Sequence, residues 1–284
     1  MTQFACVVIV GLPNAGKSTL LNRLVGEKLA PVHRKAQMTR KNLLGVCTRG
    51  DVQIAFLDTP GLTDIDKPLN RLLKKETQMA LSQADIVLVL QDVLESVSPR
   101  LEEIVATSRS PLLLAMNKID GAGEKQALSA EILRTPFAQV FRLSALTGEG
   151  VDALWDALAA MAPESPHHYA DDDLTDVSVR DLAAEIIREH VMQNLHEEIP
   201  YEAAVHIESY KEETTLHRIE AVIIVNKNSQ KGMVIGKGGA TLKKIGTAAR
   251  QDLAKLAGAK VHLALFVKVD ENWIKNDRKV SDYL

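Results

Sequence analysis

One stretch limits the fold of this chain more than any other. The apolar run Phe4–Gly11 ends in GLPNAGKS at residues 11–18, and a helix-forming segment begins at Lys17. This is G-x-x-x-x-G-K-S in the strand-to-helix setting its chemistry requires. Gly11 and Gly16 let backbone wrap closely around phosphate oxygens, and successive N–H groups at a helix N-terminus supply positive potential. The loop residues Leu12, Pro13, Asn14 and Ala15 present that backbone, and Thr19 follows in the first helical turn. Lys17 is positioned to place a charge on β- and γ-phosphates, and the Ser18 hydroxyl to hold Mg²⁺.

The rest of the first half repeats strand and helix. Strands are expected at Leu43–Thr48, Gln53–Asp58, Ile86–Asp92, Leu112–Asn117 and Gln139–Ser144. Helices are expected at Lys17–Val25, Pro68–Ser82, Arg100–Ser108, Lys125–Arg134 and Val151–Met161. Runs such as VVIVG and IVLVLQD lack polar alternation. Both faces are therefore expected to be covered, giving a mostly parallel sheet with helices on each side. The runs at 43–58 are joined by a short turn and can pair antiparallel at the edge.

Three further motifs close such strands. In DTPG, Asp58 is placed to hold Mg²⁺, Thr59 and Pro60 are expected among the phosphate-binding residues, and Gly61 can offer its N–H to the γ-phosphate. In NKID, Asp120 is expected to be a buried carboxylate accepting from N1–H and the 2-amino group of guanine, a donor pair adenine lacks. Asn117 braces the base edge, and the Lys118 stem lies over the ring. In the SAL run, Ser144, Ala145 and Leu146 can bring a backbone N–H to guanine O6. Thr39, in a polar stretch between the first helix and second strand, is assigned to Mg²⁺ and the γ-phosphate.

The residue after DTPG is Leu62, which cannot orient water by hydrogen bonding. Slow intrinsic hydrolysis is expected, with Lys17, Thr39, Gly61 and Mg²⁺ as the transfer machinery.

Pro163, Pro166, two histidines and DDD mark residues 162–176 as a break, read as an exposed linker. The expected division is a nucleotide domain over 1–165, a linker over 166–178 and a second domain over 179–284. The second domain reads α-β-β-α-α-β: a helix at Val179–Leu195 with Leu182, Ile186 and Val191 on one face, strands at Ala203–Tyr210 and Leu216–Asn226, and a short helix near Ser229–Val234. A glycine loop at 236–239, a helix to about Ala257 and a strand at Val261–Val269 complete it.

Charge singles out part of this domain. The chain carries −3 overall, yet residues 218–268 hold 10 basic and 2 acidic side chains, while residues 166–217 hold 3 basic and 13 acidic. Gly236, Lys237, Gly238 and Gly239 form a G-x-x-G loop inside the basic block. Such a loop lets a nucleic-acid backbone approach without a side-chain clash, and Lys237, Lys231, Lys243 and Lys244 can neutralise its phosphates. Ile235, Ile245 and part of the 216–226 strand are expected to line an apolar groove under the bases.

Several classes fall away. No run nears the roughly 18 apolar residues of a membrane span. The opening MTQFACVVIVG has no basic leader, so no signal peptide is expected and the cytoplasm is the expected compartment. Cys6 and Cys47 sit in apolar strand runs and read as small buried hydrophobes. The histidines form no metal set. Trp155 reads as packing, and Trp273 as packing or a ligand contact.

Taken in order, GLPNAGKS, DTPG, NKID and SAL resemble the G1, G3, G4 and G5 motifs of Ras-like GTPases of the translation-factor-related class. The second domain resembles a type II KH domain, and VIGKGG carries that likeness. With RKAQ, SALTGEGVD and AAEIIRE, the whole chain resembles the Era family of GTPases. In that family the segment near Gln37 usually reads QTTR, and Met38 stands here for the first Thr. The resemblance implies GTP hydrolysis, a KH domain on the 3′ end of 16S rRNA, a role in small-subunit assembly, and peripheral association with the inner membrane. Where Ras has a water-positioning Gln, this chain has Leu62. Related GTPases with Asn at position 14 use it for K⁺, in place of an arginine finger; the alternative is that Asn14 stabilises the loop. A different reading also stands: a membrane- or division-linked signalling GTPase whose second domain binds a protein.

Overall fold

In the computed structural model, the described residues are 1–30, 39–62, 68–95, 99–121 and 137–283. The expected helix at Lys125–Arg134 and residues Gln37 and Met38 lie outside them. The chain forms two compact units, Met1–Asp66 with Leu73–Asp176, and Lys67–Leu72 with Val177–Leu284.

The first unit is built on a six-stranded sheet. Its strands are β1 (Gln3–Val10), β2 (Leu43–Arg49), β3 (Val52–Asp58), β4 (Ile86–Asp92), β5 (Leu112–Asn117) and β6 (Gln139–Arg142), in the order β2-β3-β1-β4-β5-β6. All neighbours run parallel except β2 and β3, which pair antiparallel across a turn where Gly50 has φ 61°. The helices are α1 (Lys17–Val25), α2 (Pro68–Leu81), α3 (Pro99–Thr107) and α4 (Val151–Met161). Every residue of β4 and β5 is buried, as unbroken apolar runs require in a sheet covered on both faces. The strand order reverses direction on either side of β1, so β1 and β3 meet at a topological switch point. Their carboxyl ends are where such folds bind ligands.

The 162–176 segment, read as an exposed linker, is mostly exposed but is tied to the sheet. It lies as a strap along the β3-β2 edge. The Phe4 amide donates to the Pro163 carbonyl at 3.2 Å, and the His168 ring stacks on Phe4 with centroids 3.8 Å apart. Buried Gln53 accepts from the amides of His168 and Tyr169 and donates back to the Tyr169 carbonyl. The Val46 amide donates to the Leu174 carbonyl, and the Thr175 hydroxyl to the Leu44 carbonyl. An uncovered edge strand is a pairing hazard, and the strap satisfies this one. Aromatic and hydroxyl side chains amid the prolines and acids make the contacts, a signal that composition hides.

The second unit contains α5 (Val179–Asn194), the short α6 (Ile199–Glu202), β7 (Ala204–Glu212), β8 (Leu216–Val225), α7 (Asn228–Ile235), α8 (Ala240–Ala257), β9 (Lys260–Val269) and α9 (Asp277–Tyr283). The sheet order is β7-β8-β9, antiparallel then parallel. One core joins Ala183, Ile187 and Val191 of α5 to Ile219 and Ile223 of β8 and to Ile245, Ala249 and Leu253 of α8. The buried face of α5 is thus the i, i+4, i+8 row from Ala183. Leu182 is buried outside this cluster, and Ile186 only flanks it. Ile245 is fully buried there, so it holds α8 to the sheet and lines no groove. Trp273 is packing: fully buried, it donates its indole N–H to the Glu202 carbonyl at 3.1 Å. Trp155 is also buried, with the Arg49 guanidinium 4.3 Å over its ring.

Candidate functional site

The loop between β1 and α1 forms because its residues accept conformations others resist. Gly16 caps α1 at φ 100°, and a Cβ there would lie 2.2 Å from Asn117 Nδ2. Gly11 packs so closely on β4 that a Cβ would meet the Leu90 carbonyl oxygen at 2.4 Å. Asn14 has φ 65°, a region Asn tolerates better than most residues, and its side chain is exposed at the rim. Lys17 is buried, and its ammonium donates to the carbonyls of Gly11 at 3.1 Å and Leu12 at 3.0 Å. Burial lowers its pKa to about 8, partly offset by Asp58.

Three oxygens meet beside Lys17. Ser18 Oγ donates to Asp58 Oδ2 at 2.6 Å, Thr39 Oγ1 donates to the same oxygen at 3.2 Å, and the two hydroxyls are 3.1 Å apart. Asp58 is fully buried, and its Oδ1 has no hydrogen-bond partner. Desolvation raises the Asp58 pKa, against the pull of Lys17. A buried carboxylate oxygen without a donor, beside two hydroxyls, suits a hard divalent cation with oxygen ligands. The sequence assignment of Ser18, Thr39 and Asp58 to one site is thus a single cluster in space.

The DTPG turn departs from expectation at one residue. Thr59 is fully buried, and its hydroxyl donates to the Ile9 carbonyl at 2.7 Å while its amide points to the same oxygen. It fastens β3 to β1 and has no donor left for a phosphate. Pro60 is buried next to it. Gly61 lies against the phosphate loop, where a Cβ would be 2.8 Å from Pro13 Cα. Leu62 donates its amide to the Gly11 carbonyl at 3.3 Å and buries its side chain in the sheet core.

The base-recognition motifs converge at the ends of β5 and β6. Asn117 is buried, donates to the Ala15 carbonyl at 2.7 Å and accepts from the Ala145 amide at 2.9 Å. Ser144 Oγ donates to Asp120 Oδ1 at 2.5 Å and accepts from the Thr147 amide. Asp120 sits in the 3₁₀ turn Ile119–Gly121 and is exposed, where a buried carboxylate was expected. Its orientation comes from Ser144 and not from enclosure. Lys118 holds the left-handed φ of 68°, and its ammonium pairs with Asp92 Oδ2 at 2.6 Å. Leu146 is exposed, while Ala145 is buried.

Sequence reasoning passed over three residues here. Asp92 ends β4 and holds Lys118, but QDV carries no motif. Asn22 accepts from the amides of Leu29 and Ala30 and donates to the Ala30 carbonyl, fixing the chain as it leaves α1. Arg23 of α1 donates to the carbonyls of Ala145 and Leu146. These contacts link residues 26 to 123 positions apart or sit inside a loop, where spacing is silent.

In the second unit, the loop after α7 holds three glycines at positive φ: Gly236 at 75°, Gly238 at 60° and Gly239 at 79°. A Cβ at Gly236 would lie 2.3 Å from Thr241 Oγ1, whereas Gly238 and Gly239 face open space. Lys237, Lys243 and Lys244 are exposed around the loop; Lys231 and Ile235 are half-buried on α7. β8 is the middle strand, and β9 is the outer strand that α8 overlies, with Gly246 admitting Leu265 to within 3.4 Å of a would-be Cβ. Leu263, Leu265 and Val267 of β9 pack half-buried against the core of this unit.

Comparison with known proteins decides the family. A family model described as a 50S ribosome-binding GTPase matches residues 6–118, and a KH-domain model matches residues 198–274. GTPase Era of Bradyrhizobium sp. is 41% identical over 279 residues, covering 96% of this chain and 91% of its own. GTPase Era of Syntrophus aciditrophicus is 41% identical, covering 100% and 95%. This chain belongs to the Era family of GTPases. Its reaction is accordingly the hydrolysis of GTP. Among solved structures, a point variant of Aquifex aeolicus Era bound to GDP and AlF4⁻ superposes with a TM-score of 0.94 at 35% identity, covering 99% of both chains. An Era solved with MgGDPNP and nucleotides 1506–1542 of 16S ribosomal RNA gives 0.91 at 34%, covering 100% and 99%. The Era-family assignment accounts for both halves: a Ras-like domain with a KH domain after it.

Proposed function

We propose that this Era-family chain is a GTP-controlled switch that binds the 3′ end of 16S rRNA and acts in assembly of the small ribosomal subunit in the cytoplasm. The observation that carries this is a positive-φ glycine loop ringed by exposed lysines, in the same chain as a guanine-nucleotide cradle. An Era with similar architecture has been solved with nucleotides 1506–1542 of 16S ribosomal RNA. Ser18, Thr39 and Asp58 would hold Mg²⁺, which when bound neutralises charge on the β- and γ-phosphates. Lys17 and the loop amides bind and orient the nucleotide. Asn117, Ser144 and the Ala145 backbone hold Asp120 for guanine.

Hydrolysis by the chain alone is slow in this reading, because Leu62 is committed to the core and no described side chain takes the water-positioning role. Asn14 is exposed at the loop rim, where its carbonyl can serve a K⁺ ion. A single-turnover rate equal in KCl and NaCl buffers would remove that role.

The test is filter binding of the 16S 3′-terminal fragment with GTP analogue or GDP present. Retention is expected to depend on the nucleotide and to fall when Lys237 and Lys243 become Glu, and the wild type is expected to sediment with small subunits. Retention indifferent to both changes would support a protein partner for the second domain instead.

A further inference from the structure

The turn that carries Ser144 is held from two sides. From the β5 side, Asn117 Oδ1 accepts from the Ala145 amide at 2.9 Å, and Asp120 Oδ1 accepts from the Ser144 hydroxyl at 2.5 Å. From the α1 side, the Arg23 guanidinium donates to the Ala145 carbonyl at 3.3 Å and to the Leu146 carbonyl. The same side chain lies along Gly148, with Nη1 3.7 Å, and Cδ and Cζ 3.8 Å, from where a Cβ would stand. The turn is also closed on itself. The Gly148 amide donates to the Ser144 carbonyl at 2.8 Å, the Ser144 amide to the Glu149 carbonyl at 2.9 Å, and the Thr147 amide to Ser144 Oγ at 3.1 Å. A turn closed in this way moves as one body, so an anchor at 145–146 also fixes Ser144.

A basic residue in the last turn of a helix ordinarily serves the helix dipole from solvent. Arg23 is exposed in the last turn of α1, yet its donors reach carbonyls 122 and 123 positions away in the chain. A planar fork on two carbonyls sets direction as well as distance. Leu146 is 67% exposed, so apolar burial does little to hold this part of the turn, and the polar contacts carry it.

Position gives the contact its consequence. α1 opens with Lys17 and Ser18 at its phosphate end, and Arg23 stands about 9 Å further along the axis. Buried Leu20, Leu21 and Leu24 fix this helix in the core. One rigid element thus sets both the phosphate end and the base turn. Asp120 is exposed and takes its direction from the Ser144 hydroxyl, so a displaced turn misdirects its carboxylate, and hydrogen bonds weaken steeply with misalignment.

We infer that Arg23 is a positioning residue for guanine selection. It holds the 144–148 turn in register with the phosphate loop and thereby aims Asp120, acting through the turn and not on the nucleotide. The inference rests on the reading that Asp120 accepts from the N1–H and 2-amino group of guanine.

The test is titration calorimetry of the full chain with Mg²⁺, comparing GDP with IDP, whose base lacks the 2-amino group. Alanine suits an exposed helix position, so Arg23→Ala is expected to stay folded. It is expected to bind GDP about fivefold more weakly and IDP less than about twofold more weakly. Arg23→Lys keeps one charged donor and is expected to fall between it and the wild type. Ser144→Ala is expected to show the same selective loss. The Arg23→Ala/Ser144→Ala variant is expected to lose no more than the larger single change, because both act through one turn. Equal losses for GDP and IDP would reduce Arg23 to a support of the fold and overturn the inference, as would wild-type affinities or additive losses in the double variant. If Asp120→Ala keeps the wild-type ratio of GDP to IDP affinity, the guanine reading of Asp120 itself fails.

Discussion

Asn117 holds Ala15 and Ala145 together, donating to the carbonyl of one at 2.7 Å and accepting from the amide of the other at 2.9 Å. The phosphate loop and the base loop are thereby one object, and the bridge is buried. Replacing Asn117 by Ala leaves a buried carbonyl and a buried amide unsatisfied, at about 1–3 kcal/mol each. Affinity for both GDP and GTP is expected to drop roughly a hundredfold. Titration calorimetry with GDP measures it, and an affinity within threefold of wild type contradicts the bridge.

Gly61 and Pro13 give a second test. A methyl at position 61 would press on Pro13 Cα at 2.8 Å and on Pro13 N at 2.9 Å, both backbone atoms of the phosphate loop. Gly61→Ala must therefore displace the loop or the turn. A displacement of an ångström in a phosphoryl-transfer site can cost up to about 100-fold in rate. Single-turnover hydrolysis is expected to slow at least about tenfold, with GTP affinity falling more than GDP affinity. Wild-type kinetics would show that the turn is looser than its packing implies.

How much of this was legible in sequence depends on where each contact lies. Gly11, Asp58 and Asn117 lie at the ends of strands, with Gly16 and Asp120 in the turns that follow, so a local pattern fixed the residue types. The same held for Gly236 and Gly238, where positive φ favours glycine. Asp92 with Lys118 and Arg23 with the 145–146 loop were not legible, because only the sheet order brings them together. Proline and acid content marked 162–176 as exposed but could not show that Phe4, Gln53 and β2 offer it ring and hydrogen-bond partners. Asp120 was expected to be buried because charge discrimination suggests enclosure; the chain uses a Ser144 hydrogen bond instead.

The Asp92–Lys118 pair carries its own prediction. Asp92 is buried and Lys118 is partly exposed, so the pair is screened on one side. Asn at position 92 keeps an oxygen for the Leu94 amide, which Asp92 Oδ1 accepts now at 2.9 Å, and removes only the charge. Lys118 then loses its ammonium anchor, which in the proposed function holds its stem beside the guanine. GTP and GDP are expected to dissociate about three- to tenfold faster, while ATP remains rejected because Asp120 is untouched. Stopped-flow release of a fluorescent GDP reads the change, and a loss of guanine preference would assign Asp92 a different role.

The last helix supplies a pH test remote from the nucleotide. Asp270 binds Lys279 at 2.6 Å through one oxygen and the Tyr283 hydroxyl at 2.7 Å through the other, tying α9 back to the end of β9. The Lys279 hydrogen bond, then that of Tyr283, holds the Asp270 pKa below the ordinary 3.8. The same contact pushes Tyr283 up to about 12. A carboxylate whose folded pKa is depressed stabilises the fold above its unfolded value, and the contribution is lost as pH falls through the folded pKa. The phenol's raised pKa gives a contribution present below its unfolded value of 10.0 and lost as pH rises toward 12. Asp270→Asn still accepts from Tyr283 but forms no ion pair with Lys279. Its urea midpoint is expected to lie below wild type at pH 7, and the difference to close as pH falls below the ordinary carboxylate value. A gap that persists in acid would mean that Asp270 stabilises α9 through packing and not through its charge.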